Sequence, residues 1–195
     1  MQETERSKKQ LILESAARLF RDKGYAATSM RDLAQEVSLK ASSLYNHIAS
    51  KEDILREICF GTAQKFQIAM DEAEKLPVPP AGKIEYLLRF HIQTAIQDPT
   101  SVTSFNDEWR HLGAPFLGEF LAMRQDYERR FLLLLKQGMD AGELAPVEPR
   151  VALFTLFSAM RWLYDWFQPG KSLSAETVET SVMRLLMNGL FKKGF

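Results

Sequence analysis

The chain has 195 residues, 46% hydrophobic and 26% charged, and its 25 basic and 25 acidic residues leave no net charge. That composition supports a sizeable core, on a length that favours one compact body with a small appendage. No apolar run approaches the roughly 18 residues of a membrane span, and MQETERSKKQ lacks an apolar leader core, so a cytoplasmic protein with no membrane partner is expected.

The single cysteine, Cys59, excludes an internal disulfide and any multi-cysteine metal site. The zero charge hides an asymmetry. Nine basic and six acidic residues leave positions 1–51 at +3 and the remainder at −3, which places the positive end at the N-terminus.

Apolar residues recur at helical spacing along the chain, and no stretch alternates as a strand does, so an all-α fold of about nine helices is expected. The first helix runs from about Thr4 to Lys23, buries Ile12, Ala16, Leu19 and Phe20, and stops at Gly24, a left-handed C-cap. Ser29 and Asp32 have capping-box spacing at the start of a second helix. A short third helix follows, and Ser50 and Asp53 repeat the spacing to open a fourth that reaches about Lys75. LPVPPAG, with Pro77, Pro79 and Pro80, marks a break. Further helices are expected at about 83–97, less regularly at 99–112, then at 116–138, 149–167 and 174–192, with Gly113, Pro115, DAGELAP and QPGKSLS as punctuation. The domains follow as 1–50, a connecting helix at about 51–75, and 76–195.

The segment SMRDLAQEVSLKASSLYNHIASKED, residues 29–53, carries the functional signal. Met30, Leu33, Ala34 and Val37 form one apolar seam, and Ala41, Leu44, Tyr45 and Ile48 form another, only about three residues later. Two such short helices hold each other at a steep angle and project one of them outward, as a helix-turn-helix does into the DNA major groove. Ser42, Ser43 and Asn46 can hydrogen-bond base edges or phosphates, Arg31, Lys40, His47 and Lys51 can meet phosphates, and the amides near Thr28 and Lys51 are anion sites. The rival reading is an all-α protein-interaction module without DNA binding. Catalysis has little to stand on, because His47, His91 and His111 are far apart and no glycine-rich phosphate loop or metal-ligand spacing occurs. No catalytic residue, metal or cofactor is assigned.

Residues 24–55, GYAATSMRDLAQEVSLKASSLYNHIASKEDIL, resemble the N-terminal DNA-binding domain of the TetR family of bacterial transcriptional regulators. The resemblance rests on Thr28, Asp32-Leu33-Ala34, Leu44-Tyr45 and Lys51-Glu52-Asp53 with Leu55. It implies phosphate contacts from Thr28, Tyr45, His47 and Lys51, with Ser42, Ser43 and Asn46 nearest the bases. Ser38 stands where the family usually has its turn glycine, Lys40 replaces a serine and Ile48 an aromatic; Lys40 becomes a candidate DNA contact.

The resemblance implies that the C-terminal part binds an effector and forms a homodimer on double-stranded operator DNA. The residues agree: VALFTLFSAMRWLYDWF (151–167) is apolar on nearly every face, implying burial all round. Val178, Val182, Leu185, Leu186 and Leu190 form a stripe for a four-helix interface. Pocket candidates are His91, Phe105, Trp109, Met123, Tyr127, Phe157, Met160, Arg161 and Tyr164, with Arg89, Arg110 and Arg161 placed to receive an anionic group. NDEWRHL, RQDYERRFLLLLKQGMDAGEL and WLYDWFQPGKSLSAETV resemble family members that respond to acyl-CoA thioesters, so the expected effector is small, apolar or amphipathic.

Overall fold

The computed structural model describes residues 8–168 and 173–190. Their regular elements are all helical, without a strand. The α-helices are α1 (Lys8–Lys23), α2 (Met30–Glu36), α3 (Ala41–Tyr45), α4 (Lys51–Lys75), α5 (Pro80–Gln97), α6 (Pro99–Thr103), α7 (Ala114–Asp140), α8 (Pro149–Arg161), α9 (Leu163–Trp166) and α10 (Ala175–Leu190). A π-helical turn, Ser104–Glu108, and a 3₁₀ turn, Trp109–His111, follow α6 and account for the expected irregularity there. The expected extensions over residues 4–7 and 191–192 lie outside the described residues.

Local chemistry places most boundaries. Gly24 adopts φ +81° and donates its N–H to the Phe20 carbonyl, ending α1. Ser29 and Asp32 form a full capping box on α2, and the Ser50 Oγ accepts the Asp53 N–H at the start of α4. α5 begins three residues earlier than the periodicity predicts because Pro80 fits the first helical turn, where its missing N–H is not needed. Glu143 supports that start by accepting the Ala81 N–H at 2.9 Å.

The helix expected over 149–167 is broken. Trp162 separates α8 from α9, and its N–H turns back to the Met160 carbonyl. Nor is this segment buried all round: Val151, Phe154, Trp162 and Trp166 are exposed, Phe154 to 53%. Among the described residues, these four apolar side chains of α8 and α9 and the turn between them stand open. Leu185 of the α10 stripe is likewise 74% exposed, whereas Val178 and Val182 are buried; the Leu190 side chain is outside the described residues.

The chain divides into two compact units, Met1–Ala63 with Thr100–Leu121, and Gln64–Pro99 with Ala122–Phe195. In the first, Ile12, Phe20, Leu33, Leu44, Ile54 and Leu55 are fully buried, each contributing about 1.5–3 kcal/mol of transfer free energy. In the second, α5 packs against α9 and α10, with Ile84, Leu87, Leu88, Phe131 and Leu135 at its centre. Gly138 permits a close approach there, since a Cβ would stand 2.8 Å from Leu144 Cδ1. Arg130 pins α7 to α4 within this unit, meeting Asp71 and Glu74 at 2.6 Å each.

Ser38, in the turn between α2 and α3, has φ +54°, the only positive φ outside glycine among the described residues. A non-glycine residue there costs about 1–2 kcal/mol, more than the roughly 0.5–1 kcal/mol that glycine loses in chain entropy. Ser38→Gly is therefore expected to stabilise the protein by about 0.5–1 kcal/mol, read as a higher melting temperature; a lower one would contradict it.

Candidate nucleic-acid interface and effector site

The outward face of α2 and α3 is built on a buried floor. Leu33, Ala34, Leu44 and Ile48 point inward, and Met30 and Val37 are half-buried beside them. Ala41 and Tyr45 do not join this seam: both are exposed, Tyr45 to 52%. α3 is only five residues long, so its buried side is one leucine wide, and Tyr45, about 100° round the helix from Leu44, falls outside it. Its ring joins the polar face.

Arg31, Lys40, Ser42, Asn46 and His47 are exposed, and Ser43 is half-buried. Lys40 is the N-cap residue of α3 but makes no side-chain capping bond. Among the described residues, none of these six side chains takes part in a hydrogen bond or ion pair with another. The result is a surface carrying cationic and amide donors unspent within the fold.

Two residues expected on this face make their side-chain bonds inward. Thr28 is only 1% exposed, and its hydroxyl donates to the Gly24 carbonyl at 2.9 Å. The side chain is a peg between α1 and α2, drawn inward because Gly24 leaves a carbonyl to satisfy. Lys51 turns inward too. Its Nζ donates to the carbonyls of Tyr25 at 2.8 Å and Thr28 at 2.7 Å, and lies 4.2 Å from the centre of the Tyr25 ring.

Tyr25 and Lys51 are thus the centre of a polar knot that sequence reasoning missed. The Tyr25 ring stacks on His111 at 5.0 Å and meets Phe20 edge-on, and its N–H donates to Glu108. Glu52 accepts the Gly113 N–H at 2.7 Å. Burial first, and the Glu52 charge second, hold the Tyr25 phenol protonated. The loop before α2, the start of α4 and residues 108–113 are fixed to one another.

The pocket candidates separate between the two units. Phe105, Trp109 and Arg110 belong to the first, where Phe105 and Trp109 pack on Phe120 and the Arg110 guanidinium lies 4.7 Å over Trp109. In the second, His91, Tyr127 and Phe157 come together. His91 Nε2 is 2.9 Å from the Tyr127 hydroxyl, and its ring stacks on Phe66 at 4.4 Å and meets Phe157 at 5.2 Å. Phe66, Phe90 and Phe131 complete the cluster; sequence reasoning did not single them out. Burial lowers the His91 pKa to about 3 and raises that of Tyr127, so both are neutral.

Met160 and Tyr164 are buried, Met123 is half-buried with its carbonyl accepting from Gln67, and Arg161 is exposed. Arg89 does not stand ready for an anion. Its guanidinium meets Glu85 at 2.8 Å and Glu179 at 3.1 Å, a pairing legible only once α10 lies against α5. Among the described residues no group of three or more His, Cys, Asp or Glu is placed to hold a metal, and no helix is long and apolar enough to cross a membrane.

Two family models match the chain: "Bacterial regulatory proteins, tetR family" over residues 12–58, and "Tetracyclin repressor-like, C-terminal domain" over residues 77–190. The HTH-type transcriptional repressor KstR2 of Mycobacterium tuberculosis is 24% identical over 185 residues, covering 94% of this chain and 92% of that protein. The solved structure of KstR2, described as a ketosteroid transcriptional regulator of that organism, superposes with a TM-score of 0.89 at 22% identity, covering 96% of each chain. AibR, solved in complex with isovaleryl coenzyme A and operator DNA, has a TM-score of 0.79 at 25% identity, covering 91% of this chain and 96% of its own.

Lys51→Ala is expected to cost on the order of 3 kcal/mol in the first unit, because two charge-assisted hydrogen bonds are lost and two carbonyls are left half-satisfied; thermal melting measures it. A second expectation concerns acid. An unfolded histidine titrates near pH 6.5, so below that pH the unfolded chain binds a proton that folded His91 refuses, and stability falls as pH falls. Between pH 6.5 and 5 this group alone removes about 1.6 kcal/mol. Urea unfolding of His91→Phe should show a correspondingly flatter pH dependence than the wild type in that window.

Proposed function

We propose that this chain, which belongs to the TetR family and is a DNA-binding transcriptional regulator, acts as a repressor that an effector releases from a palindromic operator. The observation that carries the DNA-contact assignment is the set of unspent polar side chains on the α2–α3 face. Phosphate contacts fix register and base contacts give sequence preference. Arg31, Lys40, Tyr45 and His47 take the first role, and Ser42, Ser43 and Asn46 the second. Repression is supported by the description of KstR2 as a transcriptional repressor.

The acting species is a homodimer. The uncovered apolar side chains of α8, α9 and α10, Val151, Phe154, Trp162, Trp166 and Leu185, supply the face on which two copies meet. Two heads on one duplex read half-sites about one helical turn apart.

The effector is small and apolar or amphipathic, and an acyl-CoA thioester is the favoured class. Its support is the likeness of the C-terminal half to acyl-CoA-responsive members and the AibR complex with isovaleryl coenzyme A. A hundredfold loss of operator affinity on effector binding corresponds to about 2.7 kcal/mol of coupling, within the ordinary range. Helix α4 contributes residues to both units, to Ala63 in one and from Gln64 in the other.

Fluorescence anisotropy on the duplex upstream of the chain's own gene tests the DNA assignments. Arg31→Ala and Lys40→Ala should each lower the slope of log affinity against log salt by about one, while Lys51→Ala leaves that slope unchanged. Asn46→Ala should chiefly relax base preference, costing about 1–3 kcal/mol on the cognate site. Sedimentation should give a dimer that Phe154→Glu dissociates. Calorimetry across short, long and aromatic acyl-CoAs tests the effector, and silence across that panel removes the acyl-CoA class.

A further inference from the structure

The aromatic cluster around His91 holds two polar atoms in an otherwise apolar setting. Phe66, Tyr127 and Phe131 are buried, while His91, Phe90 and Phe157 retain accessible surface, so the cluster is not sealed. Hydrogen counting shows what it offers. Neutral histidine carries one N–H and tyrosine one O–H, and the 2.9 Å bond between them consumes one of the two. Either tautomer leaves a single donor hydrogen, on His91 Nδ1 or on the Tyr127 oxygen, and among the described residues His91 has no other hydrogen-bond partner.

Two arginines of this unit are paired within the fold. Arg89 is held by Glu85 and Glu179, and Arg130 by Asp71 and Glu74. A carboxylate in the cluster would lose its water and find no counter-charge on neutral His91 or Tyr127, at a cost of several kcal/mol. An uncharged oxygen meets the single donor and needs nothing more.

We propose that this cluster reads an uncharged oxygen on the effector: it takes a ring or acyl portion bearing a carbonyl or hydroxyl group, hydrogen-bonded by the His91–Tyr127 pair, and discriminates against a carboxylate. The assignment rests on the effector reading above and adds the chemistry of its apolar end. His91 and Tyr127 are the specificity-determining residues, and the phenylalanines supply faces for stacking.

The test uses the full chain and nine probes: benzene, naphthalene and fluorene, each carrying an acetyl, an ethyl or a carboxylate group, titrated by calorimetry at pH 7.5. At the ring size that fits, the acetyl compound should bind about five- to tenfold more tightly than the ethyl compound, the yield of one neutral hydrogen bond. The carboxylate should bind at least about tenfold more weakly than the acetyl compound. Tyr127→Phe and His91→Phe should each reduce the acetyl-over-ethyl preference. Should His91→Phe fail to fold, Tyr127→Phe and the wild-type ranking still decide. Equal acetyl and ethyl affinities, a carboxylate that binds tightest, a preference untouched in Tyr127→Phe, or no binding by any probe overturns the proposal. Adding the probes to the operator complex separates the two readings. An acetyl compound that binds with the expected ranking but leaves DNA bound defeats the effector reading and preserves the site. Release by acyl-CoA with no ranking among the probes does the reverse.

Discussion

A lysine ammonium that caps two backbone carbonyls is the constraint on which the N-terminal head depends. Helices α2 and α3 have seven and five residues, well below the roughly 12–15 at which a helix stands alone in water. Their positions therefore come from packing and from polar ties at their ends. Lys51 supplies the strongest of these, joining the start of α4 to the loop that feeds α2 through the carbonyls of Tyr25 and Thr28. Each such charge-assisted bond is worth about 1.5–3 kcal/mol, against about 1 kcal/mol for a neutral one. The Tyr25 ring, gripped between Phe20, His111 and the same ammonium, turns a flexible connection into a fixed one.

Polar groups in this protein accordingly fall into two populations with different physical roles. Thr28, Lys51, Glu52, Arg89 and Arg130 are consumed by partners within the fold, and their value is geometric. The side chains of Arg31, Lys40, Ser42, Asn46 and His47 are left to solvent on the α2–α3 face. The proposed DNA contacts are drawn from the second population. The same distinction separates an arginine bound between two glutamates from one able to receive an anion.

The sequence disclosed what short-range chemistry decides. Gly24, the Ser29–Asp32 and Ser50–Asp53 pairs and the prolines at 77–80 act within one turn of themselves, and the structure has helix boundaries at each. The inward residues of α1, Ile12, Ala16, Leu19 and Phe20, are all buried as the spacing predicts. What escaped depends on partners far along the chain. Tyr45 has the spacing of a seam residue, and only the size of the floor beneath α3 shows that it stands outside. Lys51 and Thr28 look like surface donors until residues 24–28 return beneath them. The break at Trp162 left no periodic trace, since apolar residues continue through it. Phe66 went unmarked because nothing near it in sequence signals His91 and Tyr127 across the unit.

The uncovered face on α8 and α9 also equips the molecule with its own optical reporter. Of three tryptophans in the chain, Trp162 and Trp166 meet edge to face at 5.1 Å on that face, both open to water, while Trp109 lies in the other unit beneath a guanidinium. Indole emission shifts to the blue when water is withdrawn. Encounter between two copies at this face would therefore announce itself in the intrinsic fluorescence, without a label.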